Sequence, residues 1–214
     1  MSDNPMFTPF TLRGMTVKNR LAMSPMCQYS AEDGTVNDWH MVHLGSRAMG
    51  GTGLVITEMT NISPEGRISP GCAGMYKTEH VDAWKPVVDF VHTYSDAKIA
   101  VQLAHAGRKA SCELAWNGGG PLPDDRAWEI IAPSPLPFSA ESQTPRQMTE
   151  DDMERLIEAF AQGARWAEEA GFDMIEIHGG HGYLISSFIS PLSNQRNDAY
   201  GGPLENRMRF PMAV

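Results

Sequence analysis

The chain has 214 residues, of which 42% are hydrophobic and 20% charged, a composition typical of one globular domain with a sizeable core. Its formal net charge of −9 argues against nucleic acids and anionic membranes as partners, because phosphate attraction requires clustered Lys and Arg. No apolar stretch approaches ~18 residues, so no membrane-spanning helix is expected. Residues 1–5 lack the charged and apolar regions of a signal peptide.

Cysteine usage indicates a reducing compartment. The three cysteines, Cys27, Cys72 and Cys112, are odd in number, lie far apart and form no C-x-x-C motif. Because disulfides are rare in the cytosol, we expect free thiols and a cytoplasmic protein.

Four short, largely apolar runs predict β-strands. They cover residues 21–25, 53–57, 98–103 and 172–177. Helical segments separate them, so the sequence predicts a parallel sheet built from right-handed βαβ units. No strand is followed by Gly-x-Gly-x-x-Gly, and there is no P-loop, so a (β/α) barrel is favoured over a Rossmann domain.

Three helices are predicted between these strands. The first is predicted at 38–49 because Trp39, Val42, His43, Ser46 and Met49 recur at roughly helical spacing. The second lies at 81–94. Because proline is tolerated only in the first turn of a helix, Pro86 indicates that the regular part of this helix begins near Trp84. The third begins after the N-cap Thr149 and ends at Gly171.

A histidine- and tyrosine-containing segment follows the fourth strand. It reads His178-Gly-Gly-His181-Gly-Tyr183, at the strand end that carries the chemistry in α/β enzymes. Two such histidines can donate to one oxygen atom while the tyrosine acts as an acid. A zinc pair or a buried structural histidine is the alternative. Zinc needs further ligands and the spacing is not helical, so we predict no metal site.

Several motifs appear in a fixed order with this segment. They are Phe10–Leu21, Ser24-Pro-Met-Cys-Gln-Tyr29, Gln102-Leu-Ala-His-Ala-Gly-Arg108, His178–Leu184, Phe188–Pro191, Asn194–Gly202 and Leu204–Phe210. Together they resemble the Old Yellow Enzyme family of FMN-dependent ene-reductases, in its Cys-containing thermophilic-like branch, from about Met6 to the last residue. The segments 37–40 and 57–67 also resemble the reductase module of aromatic acyl-CoA hydroxylases.

The resemblance implies a fold and an activity. The fold is the (β/α)8 TIM barrel, of which this chain supplies about the first four βα units, so residues 1–214 are expected to be the N-terminal half of an FMN-binding domain. The segment 105–147 is then a long loop, of the kind that serves as a lid or a partner surface. The implied reaction uses NADH or NADPH to reduce the C=C bond of an α,β-unsaturated carbonyl compound.

The resemblance also implies roles for individual residues. His178 and His181 would hold the substrate carbonyl oxygen, and Tyr183 would protonate the α-carbon. Tyr29 would contact the substrate, although a surface tyrosine is the alternative. The expected FMN contacts are Ser24, Pro25, Met26, Cys27, Met59, Gln102 and His178. Cys27 would tune the flavin rather than act as a nucleophile, unless it is only a small buried hydrophobic residue.

The main departure from the family pattern is that the chain supplies four of eight strands. In the family, the flavin phosphate site follows strands seven and eight, and a ring-contacting arginine lies on strand five. A fragment of a longer enzyme is favoured over assembled half-barrels, whose open edges would seek partners.

Other functions stay open. One is a flavin reductase module for dearomatised aryl-CoA thioesters, and another is an inactive truncated product that serves as an interaction piece. The expected partners are a small enone or acyl-CoA substrate and, in the full-length protein, further copies of itself. The physiological substrate and the choice between NADH and NADPH do not follow from the sequence.

Overall fold

The computed structural model describes residues 4–214. Most of the N-terminal segment 1–5, for which the sequence predicts no signal peptide, therefore lies outside the described residues. The strands in chain order are β1 (Phe10–Leu12), β2 (Met15–Val17), β3 (Ala22–Met23), β4 (Leu54–Asn61), β5 (Lys98–Ala104), β6 (Ile131–Ala132), β7 (Arg146–Gln147) and β8 (Met174–Ile177). The helices are α1 (Asp38–Met49), α2 (Thr78–Tyr94), α3 (Glu150–Ala170), α4 (Leu184–Ile189), α5 (Leu204–Arg207) and α6 (Arg209–Ala213).

One four-stranded parallel sheet organises the molecule. Its strand order is β3-β4-β5-β8, and its register pairs Val55 with Ile99 and Val101 with Ile175. The antiparallel hairpin β1–β2 precedes this sheet, and the short parallel pair β6–β7 lies within the long loop. The parallel sheet predicted from the four apolar runs is therefore confirmed.

Helices α1, α2 and α3 cover one face of the sheet. The core between these layers contains the fully buried residues Leu44, Trp84, Val88, Leu103 and Phe160. Since side chains alternate along a strand, the other face of β5 carries Ala100 and Gln102. None of the helices described in residues 4–214 is both long and apolar enough to span a bilayer.

Helix α1 is present at the predicted bounds, but the helically spaced residues that indicated it are not its buried face. Trp39, Val42, Ser46 and Met49 are exposed, with Val42 at 67%, and only His43 is buried. The buried face instead consists of His40, His43, Leu44, Gly45 and Ala48. His40 and His43 face the core, whereas the apolar Trp39, Val42 and Met49 face solvent. The apolar pattern of this helix therefore indicates the wrong face.

The predicted start of the second helix is also wrong. Helix α2 begins at Thr78, and Pro86 lies well inside it rather than in its first turn. The missing N–H would have bonded the carbonyl group of Asp82, and both residues are exposed. Water can satisfy that carbonyl group, which makes the proline tolerable here.

Strand ends differ from the predicted ones where polar residues are involved. β4 continues past the predicted end, Thr57, through Asn61, with a register shift between Ile56 and Met59. Its polar residues are buried, and several of their atoms are paired: the hydroxyls of Thr57 and Thr60 are 3.2 Å apart, and Asn61 Nδ2 donates to the carbonyl oxygen of Ala73. By contrast, the regular part of β3 is only two residues long.

Candidate active site

The sheet brings the predicted site residues to one edge. Because β3, β4, β5 and β8 are parallel, their carboxyl ends meet there. Residues 24–29 follow β3, and residues 178–183 follow β8. The segment that carries the two histidines and the tyrosine thus lies at the end where α/β enzymes place their chemistry.

The turn after β8 gathers three aromatic side chains. The ring centroids of His178 lie 5.1 Å from those of both His181 and Tyr183, each pair in an edge-to-face arrangement. The backbone makes this possible through two consecutive left-handed residues, His181 at φ 59° and Gly182 at φ 73°. A left-handed histidine is uncommon, and glycine next to it adopts this conformation without steric cost. The convergence predicted from the sequence is therefore present.

Hydrogen bonds define which nitrogen of each histidine carries a proton. The backbone N–H of Gly180 donates to His178 Nδ1 at 3.2 Å, so the proton of a neutral His178 is on Nε2. His178 Nε2 lies 3.2 Å from His181 Nδ1, which leaves Nε2 as the proton-bearing nitrogen of a neutral His181. Burial and then the neighbouring His181 lower the pKa of His178, so His178 is a neutral donor at pH 7.

Tyr183 is held as a protonated phenol. Burial, followed by the nearby cysteines, raises its pKa to about 12. Its backbone N–H donates to the Gly180 carbonyl oxygen, and the next residue, Leu184, donates to the carbonyl oxygen of His105. At neutral pH its hydroxyl can therefore donate a hydrogen bond or a proton.

Lys109 supports this turn from the long loop. Its Nζ donates to the carbonyl oxygen of His181 at 3.0 Å and lies 4.7 Å from the centroid of the Tyr183 ring. This residue was not predicted from the sequence, although it directly follows the motif Gln102–Arg108, a few residues after β5 ends.

Cys27 and Met59 form a small cluster beneath the turn. The partly buried Cys27 and Tyr183 pack against the buried Met59, Ala104, Ala106, Ala110 and Ile130. Burial, and then the charge of Glu58, raises the pKa of Cys27 to about 11, so it is a thiol at neutral pH. All three cysteines are free, as the sequence predicts. Met59 is only 1% exposed, so it supports the site from below rather than facing an open surface.

Tyr29 joins the site through Cys27. The two side chains are near enough for each to affect the pKa of the other, and burial raises the pKa of Tyr29 well above its usual range. Its backbone is left-handed, at φ 52°, which turns the chain back after Cys27. An edge-to-face contact with the Trp116 ring, at 6.3 Å between centroids, covers its outer side.

A buried carboxylate anchors the Cys27 loop. The backbone N–H of Gln28 donates to Glu58 Oε2 at 3.1 Å, and His40 Nε2 lies 3.1 Å from Glu58 Oε1. His40 Nε2 and Glu58 Oε1 are close enough for an ion pair, but their geometry does not form a hydrogen bond. Glu58 was not recognised from the sequence, because a carboxylate inside a strand usually marks an exposed position.

The remaining predicted cofactor residues are distributed along the open side of the sheet. Gln102 Nε2 donates to Glu176 Oε1 at 2.6 Å. The side-chain oxygen of Gln102 takes no part in this bond and remains an acceptor. Ser24 and Met26 are exposed, and Pro25 is half-buried. A mixed donor and acceptor set near the carboxyl end of the sheet fits one side of a flavin ring.

Comparison with known proteins gives the family. The family model for NADH:flavin oxidoreductase / NADH oxidase matches residues 5–214. An NADPH dehydrogenase of Geobacillus sp. (strain WCH70) is 51% identical over 97% of this chain and 57% of the relative. This chain therefore spans just over half the length of that relative.

Solved structures give the fold. An Old Yellow Enzyme from Pichia sp. AKU4542 superposes with a TM-score of 0.87 at 32% identity, over 99% of this chain and 55% of that one. A 2-naphthoyl-CoA reductase in complex with 2-naphthoyl-CoA superposes with a TM-score of 0.86 at 26% identity, over 98% and 32% respectively. The sheet and its helices thus correspond to about half of a TIM barrel, as predicted, and the family's cofactors are FMN and NAD(P)H. On the strength of the match over residues 5–214, the chain belongs to the NADH:flavin oxidoreductase / NADH oxidase family, which includes the Old Yellow Enzymes.

Proposed function

We propose that this chain carries the substrate side of an FMN-dependent NAD(P)H oxidoreductase that reduces the C=C bond of α,β-unsaturated carbonyl compounds. The observation that supports this most directly is the convergence of His178, His181 and Tyr183 on one space at the carboxyl end of the sheet. We also propose that residues 1–214 form the N-terminal half of the FMN-binding barrel. The assembly of the complete protein into oligomers is a further expectation, which sedimentation would test.

The two histidines suit a carbonyl oxygen. Addition of a hydride to the β-carbon moves the electron pair of the alkene toward the carbonyl group, so negative charge develops on that oxygen. An oxygen placed between the rings can accept from His178 Nε2–H, and also from His181 once the His181 proton has moved from Nε2 to the facing Nδ1. N–H donors in a partly buried site stabilise such an oxyanion, and losing one donor typically costs about 2.7–4 kcal/mol.

Tyr183 suits the proton that completes the reduction. The enolate carries its excess electron pair on the α-carbon, and the phenol can give its proton there. A pKa of about 12 keeps the donor protonated across the physiological range. Solvent then returns a proton to the phenolate, so the overall reaction adds one hydride and one proton to the alkene.

FMN, when bound, supplies the hydride that it has received from NAD(P)H. We propose that its ring is contacted by residues from three strand ends. They are Pro25 and Cys27 after β3, Gln102 on β5 and His178 after β8, with Ser24 and Met26 beside them. Met59 would contribute through the cluster under Cys27. Tyr29 would border the substrate beside Tyr183.

Product analysis tests the proposal. The chain, combined with the second half of a relative's barrel and saturated with FMN, is incubated with NADPH or NADH and 2-cyclohexenone, and the products are separated by gas chromatography. We expect cyclohexanone, and we expect the His178→Ala variant to form far less of it. Formation of the allylic alcohol instead would place the hydride on the carbonyl carbon and would refute the assignment.

A second candidate substrate class is a dearomatised aryl-CoA thioester. The likeness to the 2-naphthoyl-CoA reductase complex favours it. The long loop is the discriminating element, because a CoA-handling surface should bind free CoA. Calorimetric titration with CoA separates the two classes. Retention of a visible flavin spectrum when the chain is combined with the second half of a relative's barrel separates both from an inactive truncated product.

A further inference from the structure

Two serine hydroxyls of helix α4 hold the turn that carries His181. Ser186 Oγ donates to the carbonyl oxygen of Gly180 at 2.8 Å, and Ser187 Oγ donates to that of Gly182 at 2.9 Å. A serine inside a helix usually bonds a carbonyl group three or four residues back, whereas these bonds reach back six and five residues. Both hydroxyls therefore point out of the helix into the turn that precedes it.

Ser187 makes the better defined of these two bonds. Its side chain is fully buried, and Gly182 is its only hydrogen-bond acceptor among the residues that the structure describes. The half-buried Ser186 has one proton for two acceptors, since its Oγ also lies 3.1 Å from the carbonyl oxygen of Tyr183. Removal of the Ser187 hydroxyl would therefore free the Gly182 carbonyl group from the side chain that holds it.

The backbone of His181 needs this support. Its φ of 59° lies in the left-handed region, which residues other than glycine seldom adopt. Such a conformation persists where the surrounding structure fixes it from several sides. Here the carbonyl oxygen of His181 itself accepts from Lys109, and the two serines hold the carbonyl groups on either side. Three successive carbonyl groups are thus fixed by side chains from two different segments.

The left-handed backbone decides where the His181 ring lies. It places His181 Nδ1 3.2 Å from His178 Nε2, so that an oxygen between the rings can meet both nitrogens. A right-handed His181 would point its ring in a different direction, because the Cα–Cβ bond turns with the backbone. The two histidines would then no longer share one space.

Helix α4 is a firm support for the two serines. Leu184 and Phe188 are fully buried, and the centroid of the Phe188 ring lies 4.5 Å from that of Phe210. The N–H of Leu184 also donates to the carbonyl oxygen of His105 at 3.0 Å, which ties the start of the helix to the segment that follows β5. Hydroxyls on a helix fixed in this way can constrain the turn before it.

We propose that Ser187, assisted by Ser186, is a positioning residue for the reduction of the alkene. It acts through His181: its bond to the Gly182 carbonyl oxygen keeps His181 left-handed, and so keeps the ring where it can bind the substrate oxygen. The inference rests on the proposed function, because it assumes that His178 and His181 bind that oxygen.

NMR of the 214-residue chain tests the geometry directly. The ring centroids of His178 and His181 are 5.1 Å apart, which is close enough for a nuclear Overhauser effect between ring protons. Ser187→Ala should weaken this effect strongly, since His181 is then free to adopt right-handed conformations. Ser193→Ala is the matched control and should leave the effect unchanged. Ser193 is also a buried serine, and its Oγ donates at 2.9 Å to the carbonyl oxygen of Ser187, away from the turn.

Phenol binding connects this geometry to the proposed function. The chain is combined with the second half of a relative's barrel and saturated with FMN, and phenol is titrated by calorimetry. Ser187→Ala should weaken binding about fivefold, the equivalent of one ordinary hydrogen bond. In a His181→Ala background the same change should have no further effect, because Ser187 acts through that ring. A serine that only stabilises the fold would cause the same loss in both backgrounds.

The outcomes separate the inference from the proposed function. Equal losses in both backgrounds, or an unchanged ring-to-ring effect in Ser187→Ala, would overturn the inference. If Ser187→Ala does not fold, the half-buried Ser186→Ala takes its place in both measurements, with a smaller expected loss. Phenol binding that depends on His181 but on neither serine would refute the inference alone. Phenol binding that does not depend on His181 would refute the proposed function and, with it, the inference.

Discussion

His178 Nε2 lies 3.2 Å from His181 Nδ1, so in the absence of a ligand the two rings satisfy each other. The Gly180 N–H fixes His178 from its other nitrogen, and Lys109 fixes the carbonyl oxygen of His181. An incoming oxygen therefore replaces one hydrogen bond instead of ordering two free side chains. Such preorganisation reduces the entropic cost of placing donors around a developing charge.

Replacement of Tyr183 by phenylalanine should slow protonation of the α-carbon and leave ligand binding nearly intact, since only the hydroxyl is lost. Loss of a general acid typically costs about 10²–10⁴-fold in rate. The oxidative half-reaction with 2-cyclohexenone, followed by stopped-flow absorbance, measures this rate. A nitroalkene should be least affected, because the nitro group stabilises its carbanion. Parental rates with ordinary enones would mean that water or another residue is the acid.

Cys27 should resist alkylation at neutral pH. Because burial and then Glu58 raise its pKa to about 11, the reactive thiolate is scarce until strongly alkaline pH. The rate of iodoacetamide modification, read by mass spectrometry, should rise toward pH 11, and Glu58→Gln should move this rise to lower pH. The Cys27→Ala variant separates the signal from the half-buried Cys112. A midpoint near the ordinary cysteine value of about 8.5 would contradict the assigned environment.

The start of α3 should make stability dependent on acid pH. Asp152 accepts from the Thr149 N–H at 2.8 Å and from Arg146 at 2.6 Å, and these bonds, the arginine first, hold its pKa far below the usual range. A depressed folded-state pKa stabilises the fold above the unfolded value near 4, and this stabilisation disappears as the pH falls through the folded value.

The Asp152→Asn variant measures this contribution by urea unfolding. At pH 7 it should lose about 1 kcal/mol of unfolding free energy, a figure discounted for the partly exposed Arg146. The difference from the parent should shrink below about pH 4. A difference that stays constant from pH 7 to pH 3 would show that the carboxylate charge is not responsible.

The 214-residue chain by itself should bind FMN weakly. Strands β3 and β8 each have one unpaired edge in the described sheet, and Ile175 and Ile177 on β8 are 37% and 43% exposed. A flavin ring held from one side should exchange readily with free flavin. Calorimetry should give a dissociation constant above about 1 μM, and adding the second half of a relative's barrel in trans should tighten it. Submicromolar affinity of the chain alone would indicate a self-assembled barrel.

Helix ends and strand identities could be predicted where one local interaction decides them. Thr149 and Gly171 define α3 because N-capping and a left-handed C-cap are local requirements. The buried face of α1 could not be predicted, since it depends on His40 meeting Glu58 on another element. The full length of β4 was missed because its polar residues find partners only in the folded sheet.

The parts of the candidate active site that directly follow a strand could be predicted from the sequence. The turn at 178–183 follows directly from a strand ending in histidine and glycine. Lys109 is different, because its contacts with His181 and Phe138 join segments far apart in the chain. The partner of Gln102 was likewise unpredictable, since Glu176 lies beside it on the neighbouring strand β8, far away in the sequence.

Stopped-flow measurement of the two half-reactions in His178→Ala and His181→Ala tests the central claim most directly. If the pair stabilises an oxyanion, each variant should slow alkene reduction by about 10²–10³-fold and weaken phenol binding. Flavin reduction by NAD(P)H should change much less, because arrival of that hydride creates no oxyanion. Equal losses in both half-reactions would contradict the assignment of His178 and His181 to the substrate oxygen.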